Sequence, residues 1–453
     1  MTERRVAVIG GGLAGISAAF DCAAGGAEVT LLESRGRLGG AAYSFTRDGL
    51  RVDNGQHVFL RCCTAYRDLL ARIDALDSVV LQKRLAIPVL APGRRVSWLR
   101  RSGLPAPFHL AGTLARYRLL GVGERASAAR AMRALAAIDH SDPAVDRRSF
   151  GDWLGEQRQG PRALDALWGL IARPTLNLDP AQASLAQVAQ VFQTGLLTDA
   201  AAGDVGHARV PLGAIHDTAA RRALVRAGVE VRLRWGATAI AAEPDGGFSV
   251  EVSGAPTVHA EAVVLAVPHD RAARLLPPGA VPDPGRLTDL GRSPIVNLHV
   301  AYDRRVMELP FAAGARSPVQ WIFDRTGSAG LETGQYLAVS LSAADEEIGM
   351  TVDDLRSRYL PALAEVLPAA HGAGVETFFV TREHAATFRA DPGARALRPA
   401  PPTRLPGLVL AGAWTDTGWP ATMEGAVRSG GAAAREALRA LDRATRPMAA
   451  VAA

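Results

Sequence analysis

Gly10, Gly12 and Gly15 stand in a G-x-G-x-x-G spacing directly after the apolar run Val6–Ile9. Main chain without side chains at that spacing can cradle a dinucleotide. Gly10 allows a tight turn, Gly12 lets a pyrophosphate approach the backbone, and Gly15 lets the following helix pack closely on the strand. Gly11, Leu13 and Ala14 complete the turn, where free N–H groups and a helix dipole favour the anion. Glu33, followed by Ser34, lies 18 residues past Gly15, near the ~20-residue offset at which a carboxylate meets a ribose hydroxyl. A glycine fingerprint alone also arises from ordinary turns. Here strand, helix, second strand and acid are all in place, which is the context that gives the spacing its meaning.

These residues need elements to hold them. Val6–Ile9 reads as a buried parallel strand, Leu13–Ala24 as a small-residue helix and Val29–Leu32 as a second strand. Alternation at Tyr43–Phe45 and Leu50–Val52 predicts a hairpin turned at Asp48-Gly49. The turn Asp53-Asn54-Gly55-Gln56-His57 then leads into a helix from Cys63 to Leu76. Residues 79–100 read as short strands, and Pro105–Ile138 as helical, split at Gly121–Gly123, with leucines and arginines interleaved. That stretch suits either a membrane surface, apolar face down, or an ordinary helix pair on the core. Ser149 is an N-cap with Asp152 at the third position. Trp168–Leu178 and Ala183–Leu197 are helices rich in large apolar residues, fit to line a lipid cavity or simply to pack a core. The pattern continues with a helix over Ala219–Ala227, strands at Val229–Leu233 and Ala262–Pro268, and a hairpin at Asp245–Gly247. Ile295–Tyr302, Val319–Phe323, Tyr336–Ser342 and Glu376–Thr381 read as strands, and Asp353–Leu367 as a helix. A last strand, Gly407–Gly412, precedes a helix starting near Pro420, a residue suited to a first helical turn.

With 453 residues, 48% of them hydrophobic and 21% charged, the chain is globular and long enough for two domains. Its first strand begins at residue 5 or 6, leaving no room for a signal peptide, and no apolar run reaches the ~18 residues of a membrane span. Cys22, Cys62 and Cys63 form no even framework and read as reduced thiols of a cytoplasmic protein. The net charge of +6 is nearly all arginine. No nucleic-acid module accompanies it, so attraction to an anionic membrane on the inner face fits better; an Arg/Ala/Gly coding bias would give the same charge. The histidines lack metal-ligand spacing, and no metal is expected.

Three separated segments, the N-terminal fingerprint with Arg37-Leu38-Gly39-Gly40, the 229–240 strand region and the C-terminal A-G…P-A-T-M-E-G-A-V-R-S-G, resemble the FAD-dependent amine oxidase and phytoene desaturase superfamily. More closely, the chain resembles the hydroxysqualene dehydroxylases, the squalene-associated FAD-dependent desaturases. That likeness rests on DNGQHVFL (53–60), SFGDWL (149–154), LWGLIARPTLN (167–177), SPIVNLHVAYDR (293–304), SPVQWIFDR (317–325), REHAATF (382–388) and TGWPATMEGAVRSG (417–430). The resemblance implies an α/β fold: a Rossmann-type FAD-binding domain built from 1–78, 205–284 and 404–453, with an inserted mixed-sheet and helical substrate domain from 79–204 and 285–403. It implies FAD contacts at Arg37, Gly39, Gly40, Ala41 and Ala42, at Gly55, Gln56 and His57, at Ala237, and at Gly412, Ala413, Trp414, Ala421, Thr422 and Met423. Two positions depart from the family pattern: Ala41 stands where many members have Arg, and Ala413 where most have an acid. Ribityl contacts would then pass to Asp416 or Trp414.

The implied reaction removes the allylic hydroxyl of hydroxysqualene to give squalene for hopanoid or related triterpene synthesis. Such chemistry needs a proton for the leaving hydroxyl, a dry apolar cavity around the developing allylic cation and a hydride from N5 of reduced flavin. His57 is the first candidate acid and Asp416 the second, with a flavin-bound water as a third source; a histidine that only caps a turn would look the same. No second dinucleotide fingerprint is present, so NAD(P)H would bind transiently or a separate reductase would serve. A carotenoid or phytoene desaturase would share the fold, as would an amine oxidase, although no cysteine near the C-terminal motif and no paired tyrosines support the latter. A non-catalytic prenyl-binding escort like the Rab GDP-dissociation inhibitors is the remaining alternative, disfavoured by the intact R-x-G-G.

Overall fold

The computed structural model describes residues 4–445; residues 1–3 and 446–453, the outer ends of the expected first and last segments, lie outside it. Five parallel strands form the sheet that carries the glycine turn, in the spatial order Glu230–Leu233, Glu28–Glu33, Arg5–Ile9, Ala262–Leu265, Leu408–Leu410. The first strand is apolar on both sides because both are covered. Val6 and Val8 join a cluster with the helices Leu13–Ala24 and Met423–Thr445. Ala7 and Ile9 join another with the three-stranded antiparallel sheet of 237–260. The two helices approach on small residues: Ser17 Oγ donates to Val427 O at 3.1 Å, and a Cβ on Gly430 would lie 2.1 Å from Ala14 O.

A second, seven-stranded sheet runs Val375–Thr387, Ser293–Tyr302, Gln335–Ser342, Trp321–Asp324, Phe311–Gly314, Ala86–Leu90, Ser97–Arg100. Alternation along Ser293–Tyr302 sorts its side chains. Val296, Leu298 and Val300 pack with Leu355, Tyr359 and Leu363 of the helix Val352–Val366. Asn297 and His299 face the other way, on the side that carries Phe311, Ala313 and Phe323. Those last three are buried against a helical layer drawn from 111–197, in which Phe150, Trp153, Trp168 and Phe192 pack ring to ring.

Several expected boundaries move. The helix expected over 63–76 spans Thr64–Arg72, because Asp74 adopts φ 56° and Ala75 N–H turns back to Leu70 O at 2.8 Å, a left-handed helix end. The last helix begins at Met423 rather than near Pro420; Thr422 caps it, its Oγ1 accepting from Gly425 N–H at 3.1 Å. Strand 376–381 extends to Val375–Thr387, since it pairs with Ser293–Tyr302 from one end of that strand to the other. Val79–Leu81 does not join the large sheet but pairs with Val205–Ala208, which also pairs with Val58–Leu60. The apolar stripe of helix Val122–Ala136, Ala128, Ala131 and Leu135, is buried in the helical layer and is not free to lie on a membrane. Ser149 caps its helix as expected, accepting from Asp152 N–H at 3.0 Å.

Candidate active site

The glycine turn folds as its spacing demands. Gly10 has φ 109° and sits so close to Ala266 that a Cβ would be 2.4 Å from its carbonyl oxygen; a Cβ on Gly15 would meet Gly10 O at 1.8 Å. Glu33 is buried, and its carboxylate braces the turn, accepting from Gly11 N–H and Arg35 N–H, each at 2.7 Å, and from Ser34 Oγ at 3.2 Å. Gly11 N–H is therefore given to Glu33 rather than left for a phosphate. The R-x-G-G segment folds over this turn: Gly39 N–H donates to Gly11 O at 2.8 Å, and Gly40, at φ 57°, lies against Gly12. Arg37 fixes that loop by donating to Leu38 O and Gly40 O while its guanidinium stacks 3.5 Å above the Tyr43 ring.

The helix Leu13–Ala24 starts at Gly12 with no side chain capping it, although Leu13 and Ala14 are buried. The nearest atom to a Cβ on Gly12 would be Gly40 Cα at 3.7 Å, so the approach is open. Buried helix N-termini without a cap call for an acceptor from elsewhere, and a pyrophosphate meets that need. The residues present thus fit a dinucleotide. Ala41 is exposed and brings no charge, so the backbone alone would carry the phosphates.

At the opposite end of this region the turn 53–57 meets the large sheet. Asn54 is central. Its Nδ2 donates to Ala41 O and to Glu383 Oε1, both at 2.9 Å, and its Oδ1 accepts from Tyr43 N–H at 3.0 Å. Its carbonyl accepts from Asn297 Nδ2 and Thr381 Oγ1, both at 3.0 Å. Because the Thr381 hydroxyl is given to Asn54, Thr381 oxygen takes the Nε2–H of His299 at 3.0 Å, and His299 Nδ1 accepts from the Tyr336 hydroxyl at 2.6 Å. Burial pushes His299 down to about 3, so it stays neutral and acts as a fixed strut. His216, behind the R-x-G-G loop, is likewise pushed down by burial, to about 4, between Tyr66 and Ala42 O.

Two polar groups converge beside Gly55. A Cβ there would lie 3.6 Å from His57 Nε2 and 3.9 Å from Asn297 Oδ1. Asn297 is fully buried, its Nδ2 is committed to Asn54, and its Oδ1 has no partner among the described residues. A buried acceptor left unpaired costs roughly 1–3 kcal/mol, which points to a donor brought by a ligand. His57 and Gln56 are half-buried and line a water-sized void with Asp53, His207 and Arg325. Desolvation lowers the His57 pKa below the ordinary histidine value, opposed by the Asp53 and Glu383 carboxylates. A larger cleft of about 400 Å³ opens between 280–287 and 396–404, but none of these converging groups lines it.

The C-terminal loop departs from expectation. Trp414 is buried and its indole N–H donates to Val267 O at 2.9 Å, so its one polar group is not free for a ribityl chain. Asp416 is exposed, with its carboxylate accepting from Gly418 N–H at 3.2 Å. A surface carboxylate does not meet the requirement for a proton source in a water-free cavity. The loop is held from behind by buried Arg398, which donates to the carbonyls of Ala413, Thr415 and Trp419. Ala421, Thr422 and Met423 are half-buried at the helix start, and Ala237 is buried with its carbonyl taking Arg271 Nη2 at 2.9 Å. Sequence reasoning missed Asn297, Thr381 and Glu383. The polar positions alternating through an otherwise apolar 293–302 strand were the available signal.

Residues 13–438 match the family of flavin-containing amine oxidoreductases. A hydroxysqualene dehydroxylase of Rhodopseudomonas palustris is 30% identical over 443 residues, covering 95% of this chain and 98% of that one. A zeta-carotene desaturase of Zea mays is 25% identical, covering 94% and 82%. Among solved structures, wild-type putrescine oxidase bound to putrescine superposes with a TM-score of 0.72 at 20% identity, covering 98% of this chain and 99% of that one; that likeness concerns the fold.

Proposed function

The chain belongs to the flavin-containing amine oxidoreductase family and is an oxidoreductase, and on that premise we propose that it reductively removes the allylic hydroxyl of hydroxysqualene, with FAD as its flavin, to give squalene. In this reading segments 1–78, 205–284 and 404–453 hold FAD, and 79–204 with 285–403 enclose the isoprenoid chain.

When bound, reduced FAD supplies the hydride that replaces the hydroxyl. The protein must do the rest. The C–O bond breaks heterolytically, and the departing oxygen needs a proton to leave as water. Asn297 Oδ1 is the acceptor that orients the hydroxyl, because its amide cannot turn without putting oxygen against Asn54 O. His57 is the side chain beside it that can take up a proton and pass it on. The aromatic half of the sheet face, Phe311, Trp321 and Phe323, with the helical layer above, keeps water from the cation.

The observation that carries the proposal is the unpaired, buried Asn297 Oδ1, which like His57 Nε2 lies within 4 Å of where a Gly55 Cβ would stand. The likeness to a hydroxysqualene dehydroxylase along almost the full chain supports the same substrate. The test is anaerobic: reduce the purified flavoprotein, add hydroxysqualene, and follow the visible flavin band together with the mass of the extracted lipid. Reoxidation matched by squalene is the expected result. A flavin that stays reduced, while oxidised protein is bleached by a carotene precursor, would replace this reading with desaturation, the activity named for the Zea mays relative.

A further inference from the structure

Between Ser78 and Gly123 the chain carries eight Lys/Arg residues and no Asp or Glu. Arg101 pairs at 2.6 Å with buried Asp204, which it shares with Arg61; among the described residues none of the other seven is in an ion pair. The structure gathers part of this segment at one edge. Arg101 Nη2 donates to Lys83 O at 3.0 Å, and Arg84 reaches to 4.0 Å from where a Gly103 Cβ would stand. Arg100 N–H donates to Thr113 Oγ1, tying the strand end to the helix Ala111–Arg116. Loop 102–109 is closed by Ser102 N–H to His109 O at 2.8 Å.

That loop points two large apolar side chains outward. Leu104 is 54% and Phe108 63% exposed, although Leu114, Tyr117 and Leu120 nearby are buried in the helical layer. Exposed Lys83, Arg84, Arg100 and Arg116 stand on the adjoining elements. Apolar tips flanked by cations that make no ion pair, with Asp199 the one exposed carboxylate acting on Arg101 and His109, match a layer that is anionic outside and apolar beneath. A polynucleotide would use the charges but gain nothing from Leu104 and Phe108.

We infer that the 83–118 edge, with loop 102–109 at its tip, is a docking surface for an anionic lipid bilayer. It differs from the membrane contact that the periodicity of 105–138 suggests, since the stripe of helix Val122–Ala136 faces the core.

The test is co-sedimentation of the full-length flavoprotein with substrate-free vesicles of phosphatidylglycerol and phosphatidylcholine, against phosphatidylcholine alone. Binding is expected only to the anionic vesicles and falls as salt is raised. Leu104→Ser with Phe108→Ser lowers the partition tenfold or more. Arg84→Gln and Arg116→Gln each lower it about fivefold. Retained flavin establishes that each variant folds, and Phe108→Ser alone serves if the double variant does not. Equal binding to neutral vesicles, no binding to anionic ones, or binding that ignores Leu104 and Phe108 overturns the inference. Turnover of detergent-dispersed substrate is measured separately and is unchanged in all variants, so a failure of docking and a failure of the substrate assignment show up in different experiments.

Discussion

At the scale of single residues the site depends on which atoms are already spoken for. Asn54 uses its carbonyl and both side-chain ends, while Asn297 leaves one oxygen unpaired in a buried position. We expect Asn297→Ala to lower kcat by 10-fold or more with flavin retained, since Thr381 still serves Asn54 O; kinetics beside a flavin absorption spectrum check this. His57 makes a separate claim. Its pKa lies below the ordinary value because it is desolvated, so the protonated donor is scarce at neutral pH and grows as pH falls. We expect kcat to rise as pH is lowered through the range below about 6.5, and His57→Gln to flatten that profile. Stability moves the opposite way. His299 and His216 are held neutral, at about 3 and about 4, while the unfolded chain protonates them near the ordinary value. Stability present above pH ~6.5 is therefore lost as pH falls toward those folded values, by roughly 1 kcal/mol per pH unit for each imidazole. Thermal melts between neutral and mildly acidic pH should show the loss, with a shallower slope in His216→Gln.

At the scale of elements the contact between helices Leu13–Ala24 and Met423–Thr445 sets the site. One helix starts uncapped at Gly12 and the other carries Thr422 and Met423, and they touch where Gly430 leaves no room over Ala14. A methyl group there, 2.1 Å from Ala14 O, must push the pair apart. We expect Gly430→Ala to cost about 1–3 kcal/mol and to weaken flavin retention, measured by thermal melting and by flavin content after gel filtration. Most of these elements are readable from spacing. Val6–Ile9, Leu13–Ala24 and Ser293–Tyr302 announce themselves by period, length and breaker residues. Their ends are less readable: Asp74 closes a helix in a conformation usually given to glycine, and Thr422 displaces Pro420 as the helix start.

At the scale of the whole molecule a buried ion pair ties the hairpin strand Leu50–Asp53 to the end of strand Trp321–Asp324 in the seven-stranded sheet. Arg325 meets Asp53 at 2.7 Å, with side chains 9% and 4% exposed, and also donates to Ala208 O at 2.6 Å; Asp53 in turn accepts from Leu212 N–H and Ser44 Oγ. Three distant stretches of chain are thereby fixed around the 53–57 turn. Removing one partner leaves a buried charge, which costs about 3–5 kcal/mol. We expect Arg325→Met to show that loss in chemical denaturation and to release flavin, and Asp53→Asn combined with Arg325→Met to be less damaging than the sum of the single changes.

The half built on the five-stranded sheet is legible along the chain because its signals are local: glycines at fixed spacing, an acid at a set offset and an apolar strand between them. The half built on the seven-stranded sheet is not. Asn297, Thr381 and Glu383 sit on neighbouring strands and come within reach of Asn54 through antiparallel register, a relation between residues more than 240 positions apart. His57 was visible as a candidate, whereas its desolvation and its place next to Gly55 follow from what packs around it. Asp416 stood second to His57 as a candidate acid along the chain, and only the fold shows it exposed. Composition and motif thus specify the flavin-containing family to which the chain belongs, and the environment of each side chain, which exists only after distant segments are brought together, specifies what chemistry those side chains can do.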